Sequence, residues 1–151
     1  MNLLKKNYVP LIRTYIVKEK DIPYGKEEVD NPKKVVELVK RLLQGADREY
    51  LIVISVDMKS KPVGMEIVSI GTLNEALVNP REVFKHAILC NAGGIIMVHN
   101  HPSGNPEPSN HDLSITKRIK QAGKLLGIEL LDHIVFGEEG NFFSMAEENK
   151  L

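Results

Sequence analysis

The run His99-Asn100-His101-Pro102 constrains the fold of this chain more than any other stretch, because Ser109 follows after seven residues and Asp112 after two more. Two imidazoles and a carboxylate in the pattern H-x-H-x7-S-x2-D form a donor set suited to a zinc ion that keeps one coordination position open. A chain that uses this set must bring a strand carrying both histidines against the start of a helix carrying the carboxylate. Side chains two apart on a strand share a face, so His99 and His101 reach one ion while Asn100 points away. Pro102, Pro106 and Pro108 stiffen the connection, and Gly104 adopts dihedrals that other residues avoid, so the chain turns back over the site without a long floppy loop. Ser109 then opens a helix with Asp112 in its first turn, where the carboxylate is the expected third ligand and water the fourth.

The rest of the chain reads as mixed α and β without an internal repeat. Residues 8–17 are β-rich, and the charged stretch 18–30, with Gly and Pro, reads as a connector. Asp30-Asn31-Pro32 has the form of a helix start, followed by Val35, Val36, Leu38, Val39, Leu42 and Leu43 at helical spacing and a stop at Gly45. Residues 50–57 and 64–73 are β-branched runs separated by Lys59-Ser60-Lys61-Pro62, which predicts a hairpin or meander. Asn79-Pro80 repeats the helix-start signature and leads to a stop at Gly93-Gly94, with a strand over 95–101 directly after it. A helix over 112–126 and strands over 129–136 and 141–145, around the turn 137–140, complete the pattern. Helices between strands predict a three-layer sandwich or an α+β fold. We divide the chain into an N-terminal strand and connector, 1–30, and one globular domain, 31–151.

Composition narrows the function classes. The 151 residues contain 20 basic and 20 acidic side chains, so no global field draws in nucleic acid or an anionic membrane. Cys90 is the single cysteine, which excludes an intramolecular disulfide and a Cys-rich zinc finger and fits a reducing, cytoplasmic setting. The longest apolar runs, 51–56 and 95–98, fall far short of the roughly 18 residues of a membrane span, and the first eleven residues lack a signal-peptide core. Local explanations compete with the metal reading. Ser109-Asn110-His111-Asp112 has the form of a capping box with Asp in place of the usual Glu, so these two residues also make sense as a helix cap alone. His86, His111 and His133 are read as structural histidines. A cap does not account for two histidines at strand spacing joined to it by a Gly/Pro-shaped loop, so the metal reading carries more weight.

The segment from His99 through Pro102-Ser103-Gly104-Asn105-Pro106-Glu107-Pro108 to Asp112 resembles the JAMM (MPN+) metalloprotease motif in the form carried by RadC-like proteins. Asn79-Pro80-Arg81-Glu82-Val83-Phe84-Lys85, Cys90-Asn91-Ala92 and Leu131-Asp132-His133-Ile134-Val135 agree with that subfamily, and the resemblance runs from about Asn31 to about Glu147. It implies a cytidine-deaminase-like JAB/MPN domain, an α-β-α sandwich with a mixed central sheet, with zinc on His99, His101 and Asp112. It further implies a glutamate proton acceptor before a strand that follows the first helix, which Glu49 matches. Glu66 on the next strand is the competitor. By the same resemblance Ser109 donates to the oxyanion of a tetrahedral intermediate.

The expected activity is zinc-dependent cleavage of a peptide or isopeptide amide, with a peptide or protein as substrate. The alternative is a non-catalytic DNA-repair-associated or protein-interaction module, with zinc structural or lost. Deamination fits less well, because its zinc ligands normally include a P-C-x-x-C pair and Cys90 stands alone. RadC-like proteins usually carry an N-terminal helix-hairpin-helix DNA-binding module. Residues 1–29 read as strand-like without the glycine-centred hairpin, so that module is expected to be missing. With a net charge of zero, DNA affinity at physiological salt is expected to be weak or nil, although a local basic patch is compatible with that balance. Exposed strands such as 8–17 offer an edge for a homodimer.

Overall fold

Asn31 opens the first helix as its sequence demands: the side-chain oxygen accepts a hydrogen bond from Lys34 N at 3.1 Å, and Pro32 occupies the first turn, where its missing N–H costs nothing. In the computed structural model, which describes residues 9–25, 28–71 and 78–151, this helix is α1 (Pro32–Leu43). It stops before Gly45, whose φ of +74° is a left-handed value that glycine adopts without strain. Strands β1 (Tyr50–Val56) and β2 (Pro62–Ile70) form an antiparallel hairpin, closed by Asp57, whose carboxylate accepts from Lys59 N and Lys61 N. Then come α2 (Pro80–Leu89), capped by Asn79, β3 (Gly94–Asn100), α3 (Asn110–Leu126), β4 (Glu129–Phe136), a short 3-10 turn (Glu138–Gly140) and β5 (Phe142–Ser144).

The strands form one mixed sheet in the order β2-β1-β3-β4-β5. β3 and β4, joined by α3, run parallel, and the other neighbours are antiparallel. One apolar layer packs Val35, Val36, Val39 and Leu43 of α1 against Ile52, Ile54, Val98 and Ile134. The other packs Val83, Phe84 and Ala87 of α2 and Ile119 of α3 against Leu51, Val53, Ile95, Met97 and Leu130. This is an α/β sandwich of three layers, which resolves the alternative left by the sequence. Coverage on both faces explains why β1 and β3 are near-continuous apolar runs instead of alternating ones, since every residue of β3 is buried. Each such Ile or Val contributes roughly 1.5–3 kcal/mol of burial, so the central strands are the most rigid platform available to a site.

The N-terminal expectation needs correcting. Residues 9–17 carry no strand, and Val9, Leu11, Ile12, Tyr15 and Val17 are exposed. β-propensity is local but a strand exists only through pairing, and no described strand pairs with this segment. Tyr8 lies outside the described residues, as do Thr72 and Leu73 at the end of the expected second strand.

Candidate metal centre

β3 delivers His99 on the face toward α2 and α3, and His101 follows one step beyond the strand, where its N–H still donates to Phe136 O at 2.9 Å. The loop after it is clamped to the β4–β5 connection. Gly104, at φ +80°, accepts through its carbonyl from Glu138 N at 3.0 Å, and a Cβ on Gly137 would sit 2.4 Å from that carbonyl. Two glycines therefore permit the backbone approach that turns the chain toward α3. Ser109 caps α3: its oxygen accepts from Asp112 N at 3.2 Å, while Asp112 Oδ2 accepts from Ser109 N at 2.7 Å and from Ser109 Oγ at 2.6 Å. The capping box is thus present, and it turns the free oxygen, Oδ1, toward His99 while Oδ2 faces His101.

One donor atom from each of His99, His101 and Asp112 lies within 4.8 Å of the others, the one such group of three among the described residues. The two Nε2 atoms are 3.1 Å apart, His99 Nε2 is 3.3 Å from Asp112 Oδ1, and His101 Nε2 is 3.5 Å from Asp112 Oδ2. Donors bound to a tetrahedral ion at roughly 2.0–2.1 Å stand about 3.3 Å from each other, so the Nε2–Nε2 spacing and the spacing of His99 Nε2 to Asp112 Oδ1 fit zinc.

Hydrogen bonding also assigns the tautomers. His101 Nδ1 lies 2.8 Å from Asn105 O, a pure acceptor, so Nδ1 carries the proton and Nε2 a lone pair. In the tautomer that leaves His99 free to bind a metal, Thr116 Oγ1 donates to Asp112 O at 2.7 Å or to Met145 Sδ at 3.1 Å and accepts from His133 Nδ1 at 2.6 Å. His133 Nε2 is then an acceptor for His99 Nδ1–H at 2.8 Å, which leaves His99 Nε2 as a lone pair as well. In that tautomer two lone pairs and a carboxylate converge, an arrangement that a cation stabilises.

The same environment fixes the charges. Burial pushes His99 down to about 4 and holds fully buried His133 well below its ordinary value, so both stay neutral donors or acceptors at neutral pH. His101 is raised, chiefly by its bond to Asp112. Burial works against ionisation of Asp112, but His101, the field of His99 and the Ser109 bonds outweigh it and hold the carboxyl far below the usual range. In the metal-free protein, the unfolded chain therefore takes up protons near pH 6.5 on His99 and His133 that the folded chain refuses, and His86 shifts in the same direction. His101 opposes them. The unfolded state binds more protons, so stability falls as pH drops from about 6.5 toward 4, by about 1.4 kcal/mol per pH unit for each uncompensated proton. Urea midpoints of metal-free protein at pH 7 and pH 5 check this sign, and an equal or higher midpoint at pH 5 contradicts it.

Glu49 stands just before β1 and, with Leu51, Met97, His99, Asp112 and Ile115, lines a cavity of about 20 Å³, room for about one water. Desolvation raises its pKa first of all, opposed by His101 and reinforced by Asp112. A larger cavity, about 460 Å³, opens on the other flank of His101 between the end of α1 and the 3-10 turn. The structure does not bring Glu66 to the ligands: it lies on β2 against α2, 3.3 Å from His86.

Sequence reasoning missed His133, read as merely structural. Its 34-residue separation from His99 gave no local signal, and only the parallel pairing of β3 with β4 brings the rings together. Asp132, beside it on β4, ties that strand to β5 and the residues after it by accepting from His133 N, Ala146 N and Ser144 Oγ. His133→Phe should weaken zinc affinity about 10- to 100-fold, as loss of a partner that orients a ligand typically does. Competition against a chromogenic chelator measures it, and unchanged affinity contradicts the relay.

Comparison with known proteins gives a consistent picture. The family model described as RadC-like JAB domain matches residues 29–151. A UPF0758 protein of Clostridium acetobutylicum is 45% identical over 124 residues, covering 82% of this chain and 54% of that protein. A UPF0758 protein of Methanosarcina mazei is 42% identical over 123 residues, covering 82% and 53%, and one of Desulfitobacterium hafniense is 40% identical over 129 residues, covering 85% and 56%. The chain spans about half the length of these relatives, whose names specify no reaction.

Proposed function

The chain belongs to the RadC-like JAB domain family, and from that premise we propose that it is a zinc-dependent hydrolase that cleaves a peptide or isopeptide amide with water. The observation that carries this reading is the group of His99, His101 and Asp112, with the two Nε2 atoms 3.1 Å apart and each within 3.5 Å of an Asp112 carboxylate oxygen, beside a cavity that Glu49 also lines. Three protein ligands leave a fourth position open, which is the composition of a catalytic zinc site and not of a closed structural one.

Bound there, zinc supplies Lewis acidity, which brings a water's pKa to roughly 7 and polarises the amide carbonyl. The protein's own groups supply the rest. Glu49, not a member of the ligand group and partly desolvated, accepts the proton of the attacking water and passes it to the leaving amine. Ser109 Oγ, on the exposed rim of the site, turns its hydrogen from Asp112 toward the developing oxyanion, a contribution of roughly 3 kcal/mol when such a donor is well placed. The larger cavity beside His101 takes the chain flanking the scissile bond; Lys40, Gln44, Pro102 and Glu139 on its walls offer both polar and apolar contacts.

Among the described residues no helix is long and apolar enough to cross a membrane. A proteome-derived peptide library and a set of Lys-linked isopeptides, incubated with zinc-loaded protein, test the reading. New amine termini that disappear on chelation support it. Intact peptides in the presence of one bound zinc favour an interaction module instead.

A further inference from the structure

Asn100 lies between two metal ligands yet faces away from them, toward the α1 layer, and only 3% of it is exposed. Its amide spends one donor and one acceptor on the main chain at the start of β1. Nδ2 donates to Arg48 O at 2.9 Å, and Oδ1 accepts from Tyr50 N at 2.8 Å. These two backbone groups flank Glu49. The regular ladder between β1 and β3 ends at the pair Leu51 and His99, so the Asn100 side chain extends it by the stretch that carries the glutamate. On the other side, Glu49 O accepts from Gly71 N at 2.9 Å, which completes a clamp on the main chain of this one residue.

We propose that Asn100 is a positioning residue that fixes the Glu49 backbone, and through it the Glu49 carboxylate, relative to the two histidines that flank Asn100 in sequence. The chemistry of the position requires it to be an asparagine. The site asks for one donor and one acceptor in a single plane at fixed reach; a hydroxyl spans only one of the two partners, and glutamine is a methylene too long. A buried polar side chain on a central strand is retained only where both of its ends are satisfied, and here both are satisfied by the segment that bears the base. One short motif thus sets both halves of the site. His99 and His101 place the metal from one face of β3, and Asn100 places the proton acceptor from the other.

This inference rests on the hydrolase reading, and the test separates the two. Zinc-loaded wild type, Asn100→Ala and Asn100→Ser are compared on the peptide that the wild type cleaves best in the library. Asn100→Ala should lower kcat about 10- to 100-fold with KM within about twofold, and Asn100→Ser, which keeps one of the two bonds, should fall between. Zinc stoichiometry should stay at one, with chelator-competition affinity within about threefold of wild type. Hydrogen exchange supplies a readout independent of activity: the Tyr50 amide should be protected in the wild type and exchange faster in Asn100→Ala. Zinc affinity that falls in parallel with kcat would show that Asn100 acts through the ligands and overturn the proposal. So would unchanged Tyr50 exchange, or unchanged kcat in an active protein. A wild type that binds zinc and cleaves nothing overturns the hydrolase reading itself, while Tyr50 exchange still reports whether the clamp exists.

Discussion

Glu49→Gln is expected to slow amide hydrolysis about 10³-fold while one zinc stays bound, the middle of the range that a positioned acid-base group contributes. The substitution preserves size and removes the proton acceptor, so it isolates the role. Glu49 is not among the three grouped ligands, and its carboxyl is raised by desolvation at the edge of a cavity that holds about one water. A raised carboxyl pKa improves a base, because the proton it collects is held closer to operating pH. Burst-free steady-state rates together with metal analysis of the same sample decide the matter. Loss of zinc in the variant would make Glu49 a ligand, and an unchanged rate would move the base elsewhere.

The second large effect concerns the metal. His101→Ala is expected to drop bound zinc from one equivalent to near zero, because two donors remain and neither can chelate without the third. The thermal signature follows by mass action. A zinc ion that binds only the folded protein stabilises it by about 2.7 kcal/mol at 100 times Kd, so wild-type melting should rise with added zinc. The variant should show no such rise. Its metal-free form should also lose the coupling between His101 and Asp112 that raises the histidine and lowers the carboxyl in the wild type. Zinc-dependent melting that persists in His101→Ala would place the ion somewhere other than this triangle.

Local rules made much of this legible. Asn31-Pro32, Asn79-Pro80 and Ser109 cap the three helices they were read to open, because capping depends on a side chain two or three residues from its target. The histidine spacing placed both imidazoles on one face for the same reason. What depends on distant pairing was not legible. Residues 9–17 have the composition of a strand and no partner, and composition alone cannot supply one. His133 looked like an ordinary buried histidine until the β3–β4 register brought it to His99, and Asn100 seemed merely to point away until the start of β1 lay alongside it. Glu49 was singled out through resemblance to a family; by itself, Asp47-Arg48-Glu49 reads as a solvated turn, and Asp47 and Arg48 do pair with each other at the surface.

A zinc titration of the metal-free protein, followed at once for bound metal and for cleavage of the peptide library, tests the central claim most directly. Binding and cleavage should rise together and saturate at one equivalent. Saturation of the triangle at one zinc with no peptide bond broken would contradict the claim.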